Sequence, residues 1–306
     1  MDKTVLLTGA TGLIGKETIA PLLSRGFKVH AFTIDDTNPD VGVNWIKTNL
    51  FNSNEVERRI QELKPPYLLN MAWATTGDYL TNPINYAFLS ASINLISAFI
   101  RNGGRRLVCV GSCLEYKFKD EPIKETDELD CEKNAYVFCK NLLHQTTARM
   151  CRESGTSFAY GRVFYTFGRN EDPRRLAGSI VSKLSKNERV TITGGPLLRD
   201  YMYAKDVASA LVSLLDSDVQ GPVNIATGKA TTINHLANTL AKAMGKASLL
   251  DFQTNVAGQP PIIVADNSRL SHEVRFTPSF TLCDAANNFL EAQTTNQQTL
   301  FRKSHV

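Results

Sequence analysis

The feature that most restricts this chain lies at its start. A short apolar run, Val5-Leu6-Leu7, enters Thr8-Gly9-Ala10-Thr11-Gly12-Leu13-Ile14-Gly15, and a helical pattern follows. Each of the three glycines meets a steric demand of a strand-to-helix turn. Gly9 permits the tight turn, Gly12 lets the backbone approach a pyrophosphate, and Gly15 lets the helix pack closely on the strand. The helix start adds unpaired N–H groups that suit a phosphate. A glycine turn alone also serves plain structural connections, but here both the strand and the helix that the motif needs are present. Dinucleotide binding by Gly9, Thr11, Gly12, Leu13, Ile14 and Gly15 is the expectation.

The first half continues in that rhythm. Strands over Val5–Thr8, Lys28–Phe32, Tyr67–Met71, Arg106–Gly111 and Ser157–Val163 alternate with helices over Leu13–Ser24, Asn54–Leu63, Tyr86–Arg101 and Ala135–Arg152. Continuous apolar strands alternating with helices predict an α/β fold, a doubly wound parallel sheet of the Rossmann type with right-handed crossovers. After Gly168 the pattern loosens. Helices over Val207–Leu215 and Ile233–Met244 flank a short strand, Pro222–Ile225. The division is a Rossmann domain over 1–168, a smaller C-terminal substrate-binding lobe over 169–293 with segments returning to the first half, and a mobile tail over 294–306.

Composition narrows the function classes. A formal charge of +4 with scattered basic residues, Arg174-Arg175 being too short a run, argues against nucleic acid as a partner. No apolar stretch approaches the roughly 18 residues needed to span a bilayer, and the N-terminus lacks a signal-peptide pattern. The six cysteines show no CxxC pair and no metal-like spacing with histidine, so reduced thiols, no metal and a cytoplasmic location are expected.

Tyr136-Val137-Phe138-Cys139-Lys140 puts a phenol and an ammonium at i and i+4 on one helix face. Lys140 is expected to favour the phenolate and bring the Tyr136 pKa towards neutrality. A second copy, Tyr201 to Lys205, lies in the C-terminal half behind an arginine. Tyr136 is preferred because its helix follows the strand ending in Gly111-Ser112, whose loop faces the cofactor crevice of a doubly wound sheet. The second strand ends Phe32-Thr33-Ile34-Asp35-Asp36, with no arginine after it. Thr33 suits either cofactor, and NAD and NADP both stay open.

The Thr8 to Gly15 spacing, with Ser112 four residues before Tyr116 and with Tyr136 and Lys140, resembles the extended short-chain dehydrogenase/reductase superfamily. Within it the closest likeness is to the nucleotide-sugar epimerase, dehydratase and reductase family. The resemblance covers the chain up to the tail and implies a Ser112–Tyr136–Lys140 catalytic triad. It also implies cofactor contacts from Thr33, Asn49, Leu50, Met71, Ala72, Trp73 and Val163, and substrate contacts from Thr75, Cys113, Tyr165 and Arg199. Arg199-Asp200 through Asp206-Val207-Ala208 looks like the family's RDxxxxxD(V/L)A segment, whose arginine binds a sugar-nucleotide diphosphate. A surface ion pair of Arg199 with Asp200 or Asp206 is the alternative. Pro222 to Gly228 resembles the family's strand and turn near the nucleotide.

Departures from the family pattern narrow the chemistry. Dehydratases carry an Asp-Glu pair where this chain has Cys113-Leu114, so dehydration is not expected; Glu115 fills that role only if the register slips by one. Tyr165 stands where the 4-epimerases carry an Asn, and Met71 to Thr75 looks more like reductases of 4-keto-6-deoxy sugar nucleotides. Trp73 is either a stacking surface or a core residue. The reading is an NAD(P)H-dependent reductase of a keto-sugar nucleotide. A nucleotide-sugar epimerase and a non-catalytic NAD(P)-binding protein are the alternatives. Apolar residues all round Tyr86–Arg101 and Ala135–Arg152, among them Phe88, Ile93, Phe138 and Leu142, lead us to expect a homodimer.

Overall fold

The computed structural model describes residues 2–35, 42–169, 171–253 and 258–291. Strands β1 (Thr4–Thr8), β2 (Lys28–Thr33), β3 (Val43–Lys47), β4 (Tyr67–Asn70), β5 (Arg106–Ser112) and β6 (Ser157–Val163) alternate with helices α1 (Gly15–Ser24), α2 (Ser53–Leu63), α3 (Ile84–Arg101) and α4 (Ala135–Ser154). Beyond them come β7 (Tyr165–Phe167), α5 (Leu176–Ser185), β8 (Val190–Ile192), β9 (Leu198–Arg199), β10 (Tyr201–Tyr203), α6 (Ala204–Leu215), β11 (Gly221–Ile225), β12 (Thr231–Thr232) and α7 (Ile233–Ala243).

Seven strands form one sheet in the order β11-β6-β5-β4-β1-β2-β3, and every pairing is parallel. The doubly wound α/β fold read from the strand–helix alternation is therefore present. The central strands are buried on both faces: Val5, Leu6, Leu7, Leu68, Leu69, Leu107 and Val108 are inaccessible. Helices α2, α3 and α4 cover one face through Val56, Ile60, Leu95, Phe99 and Leu143. Helices α1 and α6 cover the other through Ile19, Leu22, Val207 and Leu211. Strand order reverses between β1 and β4, and such a reversal opens a ligand crevice at the carboxyl ends of the strands.

One feature of the fold differs from the pattern in the sequence. Strand β3 lies at the sheet edge where no strand was expected, because the exposed Asn44 and Lys47 break up its half-buried Val43, Trp45 and Ile46. Further on, the segments that return to the first half are β11, which joins the main sheet beside β6, and α6, which packs against α1. A separate core holds α5, α7 and β8 together through Ile180, Leu184, Ile192, Leu236 and Leu240. Asp36 and the expected tail over 294–306 lie outside the described residues.

Candidate active site

The crevice at the strand reversal is a cavity of about 410 Å³. Its phosphate end is the glycine turn. Gly9 has φ +72°, and a Cβ there would stand 2.8 Å from Ala72 N; a Cβ on Gly15 would stand 2.0 Å from Gly9 O. Only glycine fits at either position. Thr8 ties the two central strands below the turn: its hydroxyl donates to Asn70 Oδ1 at 2.7 Å and accepts from Met71 N at 3.2 Å.

Every residue expected to hold the cofactor lines this cavity: Gly9, Thr11, Gly12, Leu13, Ile14, Gly15, Thr33, Asn49, Leu50, Met71, Ala72, Trp73, Tyr136, Lys140 and Val163. Ser112 and Thr75 line it too, so the sheet brings the glycine turn, the strand β5 end and the α4 helix onto one space. At the far end, the Thr33 hydroxyl accepts from Asp35 N at 3.0 Å, and Asp35 is exposed. A dinucleotide fits this lining: a narrow glycine turn for its phosphates, Thr33, Asn49 and Leu50 at one end, Tyr136 and Lys140 at the other.

Helix α4 begins where the Asn134 side chain accepts from Val137 N at 3.0 Å, and Tyr136 N donates to Leu80 O. That places Tyr136 in the first turn and Lys140 one turn later. Tyr136 is buried, with Tyr79 edge-on at 5.1 Å between ring centres and Trp73 at 6.4 Å. Lys140 Nζ donates to Val110 O at 2.8 Å and stands 3.9 Å above the Trp73 ring. Trp73 is half-buried and held by its own bond, Nε1 to Asn85 Oδ1 at 2.7 Å.

The expected lowering of the phenol pKa is not found. Burial first, and then the negative charge of Glu115, push the Tyr136 phenol well above its ordinary value. The Lys140 ammonium faces Val110 and Trp73 and lies 5.8 Å from the Tyr136 ring centre, and burial of the phenol outweighs it. Burial also acts on Lys140, bringing its ammonium down to about 8, although the charge of Glu115 opposes that shift.

Three expected substrate residues do not reach the cavity lining. Cys113 turns into an apolar cluster with Tyr116, Ile123 and Phe164, and burial pushes its thiol up to about 12. Tyr165 packs on Tyr201 at 5.7 Å between ring centres. Arg199, 3% exposed, donates from Nη1 to Leu198 O at 2.8 Å and Pro260 O at 3.0 Å, and its guanidinium lies 5.6 Å from the Tyr165 ring centre. Neither Asp200 nor Asp206 pairs with it. Asp200 accepts from Thr227 and Gly228, and Asp206 accepts from Ser279 and Phe280. Glu115 is fully buried against Arg162 at 3.3 Å and does not line the cavity.

The lining also contains Tyr79, Phe88, Thr166 and Arg175, none of which the sequence reading singled out as site residues. Arg175 stands at the start of α5 without a side-chain cap bond and pairs with the buried Glu171 at 3.2 Å. Its only signal was the Arg174-Arg175 pair. The second Tyr-to-Lys spacing separates cleanly: Tyr201 sits on β10 and Lys205 on α6, and neither lines this cavity. Among the described residues no cluster of His, Cys, Asp and Glu is arranged to hold a metal ion, and no helix is long and apolar enough to cross a membrane.

A parallel sheet whose strand reversal carries a glycine turn, with a serine, a tyrosine and a lysine around the same cavity, defines a dinucleotide-dependent enzyme fold. The family model for NAD dependent epimerases and dehydratases matches residues 5–226, and the chain belongs to that family, within the extended short-chain dehydrogenase/reductase superfamily. It is 24% identical to GDP-L-fucose synthase 1 of Arabidopsis thaliana over 92% of this chain and 90% of that protein. It is 22% identical to dTDP-4-dehydro-6-deoxyglucose reductase of Escherichia coli, over 94% and 96%. In fold it is similar to UDP-glucose 4-epimerase of Thermotoga maritima, with TM-score 0.87, 19% identity and coverage of 96% and 99%. A Thermus thermophilus UDP-glucose 4-epimerase in complex with NAD gives TM-score 0.83 at 22% identity, over 94% and 98%.

Proposed function

We propose that the chain is an NAD(P)H-dependent reductase of a keto-sugar nucleotide, of the 4-keto-6-deoxy hexose type. The observation that carries this reading is geometric: Ser112, Tyr136 and Lys140 line the same cavity as the glycine turn. An un-ionised phenol there carries the proton that reduction of a carbonyl requires.

A bound nicotinamide cofactor supplies the hydride. Ser112 donates its hydroxyl hydrogen to the substrate carbonyl oxygen, polarising it. Tyr136 passes its proton to that same oxygen as negative charge develops there. Lys140, with its charge 5.8 Å from the ring centre, offsets the phenolate left behind. Water elimination has no support in this site, because Cys113 is buried away from the cavity and Glu115 is held by Arg162. The sugar-nucleotide class is supported by the family and by the activities that the two relatives' names carry.

The test is direct. Purified protein is mixed with NADH or NADPH and a panel of keto-sugar nucleotides, and nicotinamide absorbance and product are followed together. Stoichiometric loss of the reduced cofactor supports the reductase. An isomerised sugar with no net redox makes the enzyme an epimerase. Cofactor binding without any turnover leaves a non-catalytic binder.

A further inference from the structure

The turn after β5 holds a buried carboxylate that the reaction does not use. Glu115 Oε1 accepts from Ser112 N at 2.6 Å and meets the Tyr160 hydroxyl at 3.1 Å, while Oε2 meets Arg162 Nε at 3.3 Å. Ser112 answers with its own hydroxyl, which accepts from Leu114 N at 3.2 Å. The two residues thus close a capping box around Cys113–Glu115. A second acceptor, the backbone carbonyl of Lys140, stands 3.0 Å from the Tyr160 hydroxyl, whose one proton is shared between that carbonyl and the carboxylate. The Tyr160 ring is held by stacking on His144, 4.4 Å between centres. Gly111 leaves the room for this arrangement: a Cβ there would stand 2.3 Å from the Tyr160 ring and 2.5 Å from Glu115 Oε1.

A one-turn cap needs no buried anion, and burying one is unfavourable unless its contacts are well made. Here those contacts lead to both elements that carry the reacting groups. Ser112 ends β5, Lys140 lies on α4, and Tyr160 on β6 touches the carboxylate and the helix carbonyl together. Neither Glu115 nor Tyr160 lines the cavity. We propose that Glu115 and Tyr160 are positioning residues, a strut that locks the Ser112 turn to the second turn of α4 and so fixes the Ser112 hydroxyl relative to Tyr136. This rests on Ser112, Tyr136 and Lys140 being the reacting groups.

Tyr160→Phe keeps the ring and its stack and removes the one hydroxyl that joins the two elements. Hydrogen exchange read by mass spectrometry should become at least about fivefold faster over residues 111–116, with cofactor Kd within about twofold of the parent. Where the parent turns over, kcat should fall about tenfold with KM little changed, the size expected of a slightly displaced group. That loss should vanish in the Ser112→Ala background, because the position of an absent hydroxyl no longer matters. Unchanged exchange overturns the strut, and so does a loss that simply adds to that of Ser112→Ala. The exchange measurement needs no turnover, so its outcome stands apart from the reductase assignment. If Tyr160→Phe does not fold, Glu115→Gln undergoes the same two measurements, since it sets an amide donor against either the Arg162 Nε–H or the Ser112 N–H.

Discussion

Lys140 places its ammonium 3.9 Å above the ring of Trp73, and the two side chains share one wall of the cofactor cavity. The ring face favours the cation, yet burial brings the ammonium down to about 8. Lys140 is charged below that pH and neutral above it. Activity should therefore decline above about pH 8, as the charge that offsets the Tyr136 phenolate is lost. Lys140→Arg keeps its charge through this range and should move the decline upward; a pH–rate profile unchanged by the arginine would remove Lys140 from that role. The same shift has a consequence for stability. Because the folded chain releases this proton below the unfolded value of 10.5, the Lys140 contribution to stability should rise between about pH 8 and that value.

Tyr136→Phe keeps the ring packed against Tyr79 and removes only the proton donor. Cofactor affinity should stay nearly intact while turnover falls by roughly two to four orders of magnitude. Tyr201→Phe, on β10 and outside the cavity lining, should change the chemical step far less. Equal losses in steady-state turnover would show that the proton comes from elsewhere.

Arg175, and not Arg199, should carry the substrate contact that sequence position assigns to Arg199. Arg199 braces the carbonyls of Leu198 and Pro260 from a buried site, so Arg199→Ala should lower stability by roughly 1–3 kcal/mol for each buried group left unsatisfied. Arg175 faces the cavity with its side chain 40% exposed, so Arg175→Ala should raise the Kd of a nucleotide-sugar ligand by about tenfold, with some loss of Tm because the buried Glu171 is left unpaired. Calorimetric titration and thermal unfolding of the two variants decide this. A nucleotide-sugar Kd that rises only for Arg199→Ala would restore the reading from sequence.

Which parts of this site are legible in the sequence follows from how local their geometry is. The glycine turn and the Tyr136–Lys140 spacing are fixed by neighbouring residues within one turn or one helix face, and all of them line the cavity. Cys113 and Arg199 carry the right residue types at the right offsets. Their directions, however, are set by partners far along the chain: Phe164 and Ala226 for Cys113, Pro260 for Arg199. The protonated state of Tyr136 likewise depends on burial by Trp73 and Tyr79 and on the charge of Glu115, which no spacing in the chain reveals. Strand β11 was visible as a strand, but only its pairing with β6 shows that the second half of the chain completes the first sheet.

Gly15→Ala tests the cradle itself. The added methyl would stand 2.0 Å from Gly9 O and 2.8 Å from Ala10 Cα, both backbone atoms that cannot swing aside. Either the turn opens, or α1 lifts from β1. Dinucleotide affinity should fall by at least about a hundredfold, as it does when a backbone approach is lost, and fluorescence titration with NADH reads it. Gly26→Ala, with open space around its Cβ at a positive φ, is the control for general backbone strain. Similar loss of binding in both variants would mean that strain, and not the cradle, is being measured.

Most of the apolar surface of α3 and α4 is used inside the chain. Leu89, Leu95, Ile96, Phe99, Val137 and Leu143 are buried against the sheet, and Phe88 stacks on Trp73 at 5.6 Å. What remains outside is a small patch: Tyr86 at 52% exposure, Phe138 at 43% and Leu142 at 38%, with the rings of Tyr86 and Phe138 6.4 Å apart. Large apolar side chains grouped on two adjacent helices suit an isologous contact between copies of the chain. We propose that this patch closes a homodimer. Phe138 and Lys140 are two residues apart on α4, so the contact would steady the helix that presents Tyr136 without adding residues to the partner's site. Sedimentation of the parent should give a dimer at micromolar concentration, and Phe138→Glu should give a monomer with cofactor Kd within about threefold. A parent that sediments as a monomer at full activity removes the interface and leaves the catalytic assignment standing. A Phe138→Glu variant that stays dimeric moves the interface to another face.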